Sequence, residues 1–162
     1  MVVVIKELTP PDSRLAYLAL RELRPALTDE AAFVRQVDEV QRPEGYRIVA
    51  AFGEGEEQAL AVAGFRTGHN LAWGHFLYID DLSTLPAARG RGLARGLLEW
   101  LGDEAGRLGC AELHLDSGVG PNRATAHRLY FNAGYRISSY HFGRPYSAEA
   151  LRLLWRSVTH EG

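Results

Sequence analysis

The chain has 162 residues, 46% of them hydrophobic and 23% charged, which suits one globular domain burying about 70% of the surface its unfolded chain exposes. With 18 Lys and Arg against 20 Asp and Glu, the formal charge is −2, which excludes a broad electrostatic attraction to nucleic acid or to an anionic membrane. The single cysteine, Cys110, excludes an internal disulfide and any site built from several thiolates, as a reducing cytoplasm would favour.

Met1-Val-Val-Val-Ile-Lys-Glu has no basic leader, no long apolar stretch and no small-residue cleavage site, so it reads as a strand in a cytoplasmic protein. Val2–Leu8 is β-branched and stops at Thr9-Pro10-Pro11-Asp12, where Asp12 or Ser13 can cap a helix. Leu15, Leu18, Leu20, Leu23 and Leu27 carry that helix, and Thr28-Asp29-Glu30 opens a second one with Phe33, Val37 and Val40, to about Arg42. Tyr46–Phe52 and Ala59–Phe65 form an antiparallel hairpin around Gly53–Glu57, and a third strand runs from Trp73 to about Thr84. Past Pro86 the period turns helical: Leu93, Leu97, Leu98, Leu101 and Ala105 mark a helix stopped by Gly109. Ala111–Asp116 alternates as a strand, Arg123 to about Ala133 is a helix ended by Gly134, and Tyr135–Phe142 closes the sheet. Residues 147–159 form a last amphipathic stretch, which packs on the domain or makes a homodimer contact. Residues 1–162 therefore read as a single mixed α/β domain.

The run Leu82-Ser83-Thr84-Leu85-Pro86-Ala87-Ala88-Arg89-Gly90-Arg91-Gly92-Leu93-Ala94-Arg95-Gly96 ends a strand and opens a helix with small residues. Unpaired amides and the positive end of the helix dipole meet there, and Gly90, Gly92 and Ala94 let an anion reach the backbone. Arg89, Arg91 and Arg95 add cationic donors suited to a ligand with more than one phosphate. Mere turn chemistry is the bland alternative for a Gly-x-Gly. No Gly-Lys-Ser or Gly-Lys-Thr occurs, and Arg95 occupies the third glycine position of a dinucleotide fingerprint, so neither of those phosphate loops applies.

Arg89-Gly90-Arg91-Gly92-Leu93-Ala94 satisfies the acetyl-CoA signature of the GCN5-related N-acetyltransferase (GNAT) superfamily, and Leu113–Tyr135, with Leu129-Tyr130 and Gly134-Tyr135, resembles its second motif. The resemblance covers nearly the whole chain. It implies a mixed, mostly antiparallel central sheet flanked by helices on both faces, ordered β-α-α-β-β-β-α-β-α-β plus a C-terminal helix. It also implies acetyl-CoA as cosubstrate, with the Leu82-Ser83-Thr84 backbone on the pantetheine arm and the amides from Arg89 to Ala94 on the pyrophosphate. Tyr130 matches the tyrosine that many members use to protonate the departing thiolate. The asparagine common at the start of that helix aligns with Arg123, with Asn122 one position early, so either could meet CoA.

A primary amine with a pKa of about 10.4 must lose a proton before it attacks a thioester. Asp80 matches a position where some members carry a catalytic glutamate; alternation would put it on a face with Tyr78, Leu82 and Thr84, opposite Asp81. Asp80, acting through water, is the expected base, and Asp81 or water alone are the alternatives. Both aspartates could instead pair with arginines, and Tyr130 could be core. The six histidines show no metal-ligand spacing. The expected function is acetyl transfer to a small-molecule, peptide or protein amine, without nucleic acid or membrane partners. A non-catalytic acyl-CoA-binding module is the alternative.

Overall fold

The computed structural model describes residues 2–147 and residue 149. Its centre is a five-stranded sheet of β1 (Val3–Leu8), β2 (Arg47–Gly53), β3 (Ala61–Asn70), β4 (Gly74–Thr84) and β5 (Glu112–Leu115), in that spatial order. The first three pairings are antiparallel and β4 with β5 is parallel, so the expected mixed, mostly antiparallel sheet is present. Alternation along β2 divides the core. Ile48, Ala50 and Phe52 pack with α1 (Tyr17–Leu23) and α2 (Glu30–Arg35) on one face. Val49 and Ala51 pack with α3 (Leu93–Leu108) on the other, where α4 (Ala124–Asn132) adds Leu129 and Tyr130.

The first helix differs from its expected form. A 3-10 turn over Asp12–Ala16 leads into α1, and no side chain caps either segment. Ser13 is instead buried, donating its hydroxyl to Asp38 at 2.5 Å, while Arg42 binds Asp38, the Ser13 Oγ and the Leu8 carbonyl, each at 2.9 Å. This knot ties β1 to the second helical segment, where α2 runs into a π-helical turn over Gln36–Gln41. Asp29 caps α2 by accepting from the amides of Ala31 and Ala32 at 2.9 and 3.2 Å.

Helix α3 buries Leu93, Leu97, Leu98, Leu101 and Ala105 on the sheet and ends at Gly109, in the left-handed conformation at φ 73°. Its last turns are fixed electrostatically. Arg47 bridges Glu7 at 2.7 Å and Glu104 at 2.9 Å, Arg107 holds Glu104 at 2.5 Å, and the Arg47 guanidinium lies 4.8 Å from the Phe65 ring centre. The hydrogen bond from Arg107, with Arg47 behind it, holds the Glu104 carboxyl down at about 2, so a nearly buried acid stays ionised.

Tyr135–Phe142 does not close the sheet. Tyr135 is half-buried against Tyr130, with ring centres 6.3 Å apart, and the chain from Arg136 through Phe142 is exposed and outside any strand. Its alternation favours an extended chain, but a strand needs a hydrogen-bonded neighbour, and among the described residues β5 is the edge. After Gly134, at φ 90°, the chain borders a crevice of about 850 Å³ between α3, β5 and α4. Most of the expected C-terminal helix over 147–159 lies outside the described residues. No helix among those described is long and apolar enough to cross a membrane.

The pairing of β3 with β4 is irregular at one point. Its register runs Gly64↔Asp81 and then Phe65↔Ile79, leaving Asp80 as the extra residue of a bulge. Gly64 is needed there because the Tyr46 ring lies directly over it: a Cβ at that position would sit 1.8 Å from the Tyr46 hydroxyl oxygen. Gly64→Ala is therefore expected to displace Tyr46 and destabilise the fold by about 2 kcal/mol. For a chain of this length that lowers Tm by roughly 4–8 °C in a thermal melt, and an unchanged Tm would contradict the packing.

Candidate active site

Strand β4 is paired with β3 along its length, but β5 accompanies it only from Phe76↔Glu112 to Ile79↔Leu115. Beyond Ile79 the outer edge of Asp80–Thr84 has no strand partner among the described residues, so β4 and β5 part as a wedge. The chain leaves that wedge through a 3-10 turn at Pro86–Ala88 and reaches the start of α3. Gly90 and Gly92 take left-handed φ values of 78° and 76°, and Gly92 caps α3 with no side-chain hydrogen bond. The first bond into the helix is Gly96 N–H to the Gly92 carbonyl at 3.0 Å, so among the described residues the amides of Leu93, Ala94 and Arg95 have no main-chain acceptor. A Cβ at Gly90 or Gly92 would meet nothing within 4 Å, so the loop is open at both positions. Free amides and the helix dipole together make this end of α3 favourable to an anion.

The expected cations surround it with weak commitments. Arg89 reaches Glu22 at 3.6 Å, Arg95 pairs with Glu99 at 3.0 Å, and Arg91 donates to the Ala87 carbonyl at 3.2 Å. Exposed pairs like the first two are worth about 0–1 kcal/mol and can be exchanged for a phosphate. Behind them, Ser83 is buried, Thr84 is half-buried, and Leu82 packs into the core beneath α3.

The bulge changes the expected faces of the aspartates. Ile79 and Leu82 both join the α3-side core, so Leu82 does not share a face with Asp80. The Asp81 carboxylate accepts from the Tyr46 hydroxyl at 2.8 Å and from Arg24 Nε at 3.0 Å, and Arg24 also donates to the Asp80 carbonyl at 3.1 Å. Arg66, stacked 5.0 Å over the Tyr78 ring, donates to both oxygens of Asp80 at 3.0 and 3.2 Å. The two carboxylates thus stand together on the α1–α2 side rather than apart. Burial raises the Asp80 pKa; Arg66 pulls it back, and the charge of Asp81 adds to the rise. Tyr78 hydrogen-bonds Asp116, and burial followed by that bond raises its pKa. Tyr46, raised by burial and then by Asp81, is likewise a fixed hydrogen-bond donor. Sequence reading did not assign Tyr46, Arg66 or Asp116 to this cluster. Gly64 inside a strand was the available signal, since such a glycine marks a bulge or a close approach.

On the α3 side, Tyr130 is half-buried against the core beneath that helix. Burial raises its pKa while the charge and hydrogen bond of Arg123 pull it back, so it holds its proton at neutral pH. Of the two candidates at the start of α4, Asn122 is exposed and Arg123 turns inward, donating from Nη2 to the Ser117 hydroxyl at 3.3 Å. Its Nε is buried without an acceptor among the described residues.

Other singled-out residues lie elsewhere. His69 stacks on His75 at 4.3 Å, and the His75 Nε2 is 3.7 Å from the Cys110 sulfur. Trp73 stacks on His114 at 3.5 Å beside the crevice, whereas Tyr140 and Phe142 are exposed. Among the described residues, no group of three or more His, Cys, Asp or Glu side chains could hold a metal ion. The 850 Å³ crevice follows the bare edge of β5 and does not include the Gly90–Ala94 amides. A smaller cavity of about 350 Å³ opens between α1, α2 and β4, with Tyr46 and Asp81 in its wall.

Residues 13–135 match the acetyltransferase (GNAT) family. The chain belongs to that family. As a GNAT member it is an N-acetyltransferase, in keeping with its similarity to known proteins. It is 30% identical over 131 residues to YhdJ, an uncharacterized N-acetyltransferase of Bacillus subtilis (strain 168), covering 80% of this chain and 89% of that one. The GNAT fold is shared with an acetyltransferase of Trypanosoma brucei, at a TM-score of 0.75 and 18% identity over 90% of this chain and 100% of that one. It is also shared with the aminoglycoside N-acetyltransferase AAC(6')-Iy, solved in complex with CoA, at a TM-score of 0.75 and 15% identity over 90% of this chain and 95% of that one.

Proposed function

We propose that this GNAT enzyme takes an acetyl group from acetyl-CoA and passes it to a primary amine by direct attack on the thioester. The observation that carries this reading is the uncapped start of α3, opening beside the wedge between β4 and β5. The Arg89 amide, expected among the donors, is taken by the Pro86 carbonyl at 3.3 Å, so a diphosphate bound on the amides from Gly90 to Ala94, with Arg91 and Arg95 beside it, would run its pantetheine arm along the free edge of Leu82, Ser83 and Thr84. The thioester then lies where the strands part, between Asp80 and Tyr130.

Asp80, with its pKa raised toward that of a useful base, takes a proton from the bound ammonium through water. The amine nitrogen forms a bond to the thioester carbon, and the oxyanion is met by main-chain N–H on the open strand edge. The adduct then collapses, the C–S bond breaks, and Tyr130 gives its proton to sulfur. The cavity near Asp81 supports a small acceptor: Leu20, Leu27, Phe33 and Val37 offer an apolar floor, and Asp29 and Gln36 stand at its side. That lining suits an amine with an apolar body better than a polycation.

Arg91→Glu should weaken CoA binding at least about tenfold by calorimetry, because it sets a negative charge against the diphosphate. Unchanged affinity would refute the phosphate site. Tyr130→Phe should lower kcat by about 100-fold while the CoA dissociation constant stays within about threefold; wild-type turnover would remove its acid role. Asp80→Asn should reduce kcat/KM by about tenfold or more at neutral pH. That loss should shrink as pH rises toward the amine's own pKa, where free amine needs no base. A pH profile parallel to wild type would clear Asp80 of the role.

A further inference from the structure

Arg66 takes no part in the reaction steps above, yet it is bonded directly to the carboxylate that would receive the amine's proton. It stands on β3 opposite Tyr78 of β4, and Asp80 follows as the extra residue of the bulge. Its Nε donates to both Asp80 oxygens, at 3.0 and 3.2 Å, and its Cζ lies 5.0 Å from the centre of the Tyr78 ring. That ring is held in turn, because the Tyr78 hydroxyl donates to Asp116, the residue just past β5. Each Asp80 oxygen keeps acceptor capacity beyond the Arg66 bond, which leaves room for a water. The other charged or titratable groups facing Asp80 are Asp81 and Tyr78 on β4, Arg24 after α1 and Tyr46 ahead of β2. Arg24 donates to the Asp80 carbonyl and Tyr46 to Asp81, so among the described residues Arg66 is the cation hydrogen-bonded to the Asp80 carboxylate itself.

We propose that Arg66 is a positioning residue for the proton-removal step: backed by the Tyr78 ring, its guanidinium fixes the Asp80 carboxylate in place and balances its charge until the amine's proton arrives. This rests on the base role proposed for Asp80. In that step an N–H bond of the ammonium breaks and its electron pair stays on nitrogen for attack on the thioester carbon. The proton passes through water to Asp80. Protonation cancels the carboxylate charge beside a fixed cation, which favours release of the proton to solvent and restores the base for the next turnover. Burial raises the Asp80 pKa, and the charge and hydrogen bond of Arg66 are the strongest influences against it, in keeping with that task. The pair is partly open to solvent, with 47% of the Arg66 side chain and 28% of the Asp80 side chain exposed, so it adds little to folding stability and its loss should leave the chain folded.

The test uses the full chain, with circular dichroism and Tm as checks of folding. In apoprotein carrying ¹³C-labelled aspartate carboxyls, with Asp80→Asn identifying the signal, Arg66→Gln should raise the Asp80 titration by at least about 0.5 pH unit. Arg66→Lys, which keeps the charge, should undo most of that shift. Arg66→Gln should also lower kcat/KM by about fivefold at neutral pH, with the loss deepening as pH falls because more of Asp80 is then protonated. In the Asp80→Asn background the same substitution should change kcat/KM by less than about twofold. An Asp80 titration that does not move, a loss equal at every pH, or an equal loss in both backgrounds would overturn the proposal while Asp80→Asn alone remained impaired. An Asp80→Asn enzyme with the wild-type pH profile would instead overturn the base role, and this proposal with it.

Discussion

Strand β4 is held along its length on one side and for only four positions on the other. The candidate site depends on that asymmetry. A fully paired β4 would have its main-chain groups saturated by β5, leaving neither a free edge nor a gap between the faces of the sheet. Because the strands part after Ile79, the chain can pass from the end of β4 into α3 with the helix's uncapped amides beside the opening. The bulge at Asp80 belongs to the same stretch. It turns two consecutive carboxylates toward the α1–α2 side, while Leu82 stays in the core beneath α3.

The two ends of α3 are treated in opposite ways. At its C-terminal end, Glu104, Arg47 and Arg107 fasten the helix to β1 and β2. At its N-terminal end no side-chain hydrogen bond among the described residues caps the amides. A helix anchored this way presents its open end rigidly, which is how a backbone anion site keeps its aim without side chains to steer it. The side of β4 that faces α1 and α2 is built differently. Arg24, Arg66, Tyr46 and Tyr78 all contact the aspartates or their neighbours, and charge there is held by side-chain pairing.

Much of this was legible in the amino-acid sequence because it rests on local rules. The leucine spacing from Leu93 to Leu101, the stops at Gly109 and Gly134 and the Gly90/Gly92 opening are each written within a few residues, and each recurs in the structure. What was misjudged depends on partners distant in the chain. Ser13 looked like a cap and became a buried donor to Asp38, 25 residues away. Alternation put Asp80 and Asp81 on opposite faces, but Gly64 on the neighbouring strand resets the register. Tyr135–Phe142 has the pattern of a strand, yet pattern alone cannot supply the neighbour that pairs with it. Arg123 shows a further limit: its position could be aligned, but only packing revealed that it turns inward while Asn122 faces solvent.

The bare start of α3 also ties occupancy to folding. Orphaned helix amides leave part of the native state's stability unrealised in the apoprotein, and an anion that satisfies them binds the folded chain but not the unfolded one. A ligand present at 100 times its dissociation constant adds about 2.7 kcal/mol by mass action alone. On the proposed reading, occupancy by a phosphorylated cosubstrate would govern the stability of the chain as well as its turnover, and a mutation that loosens the helix opening would be felt first when that ligand is scarce.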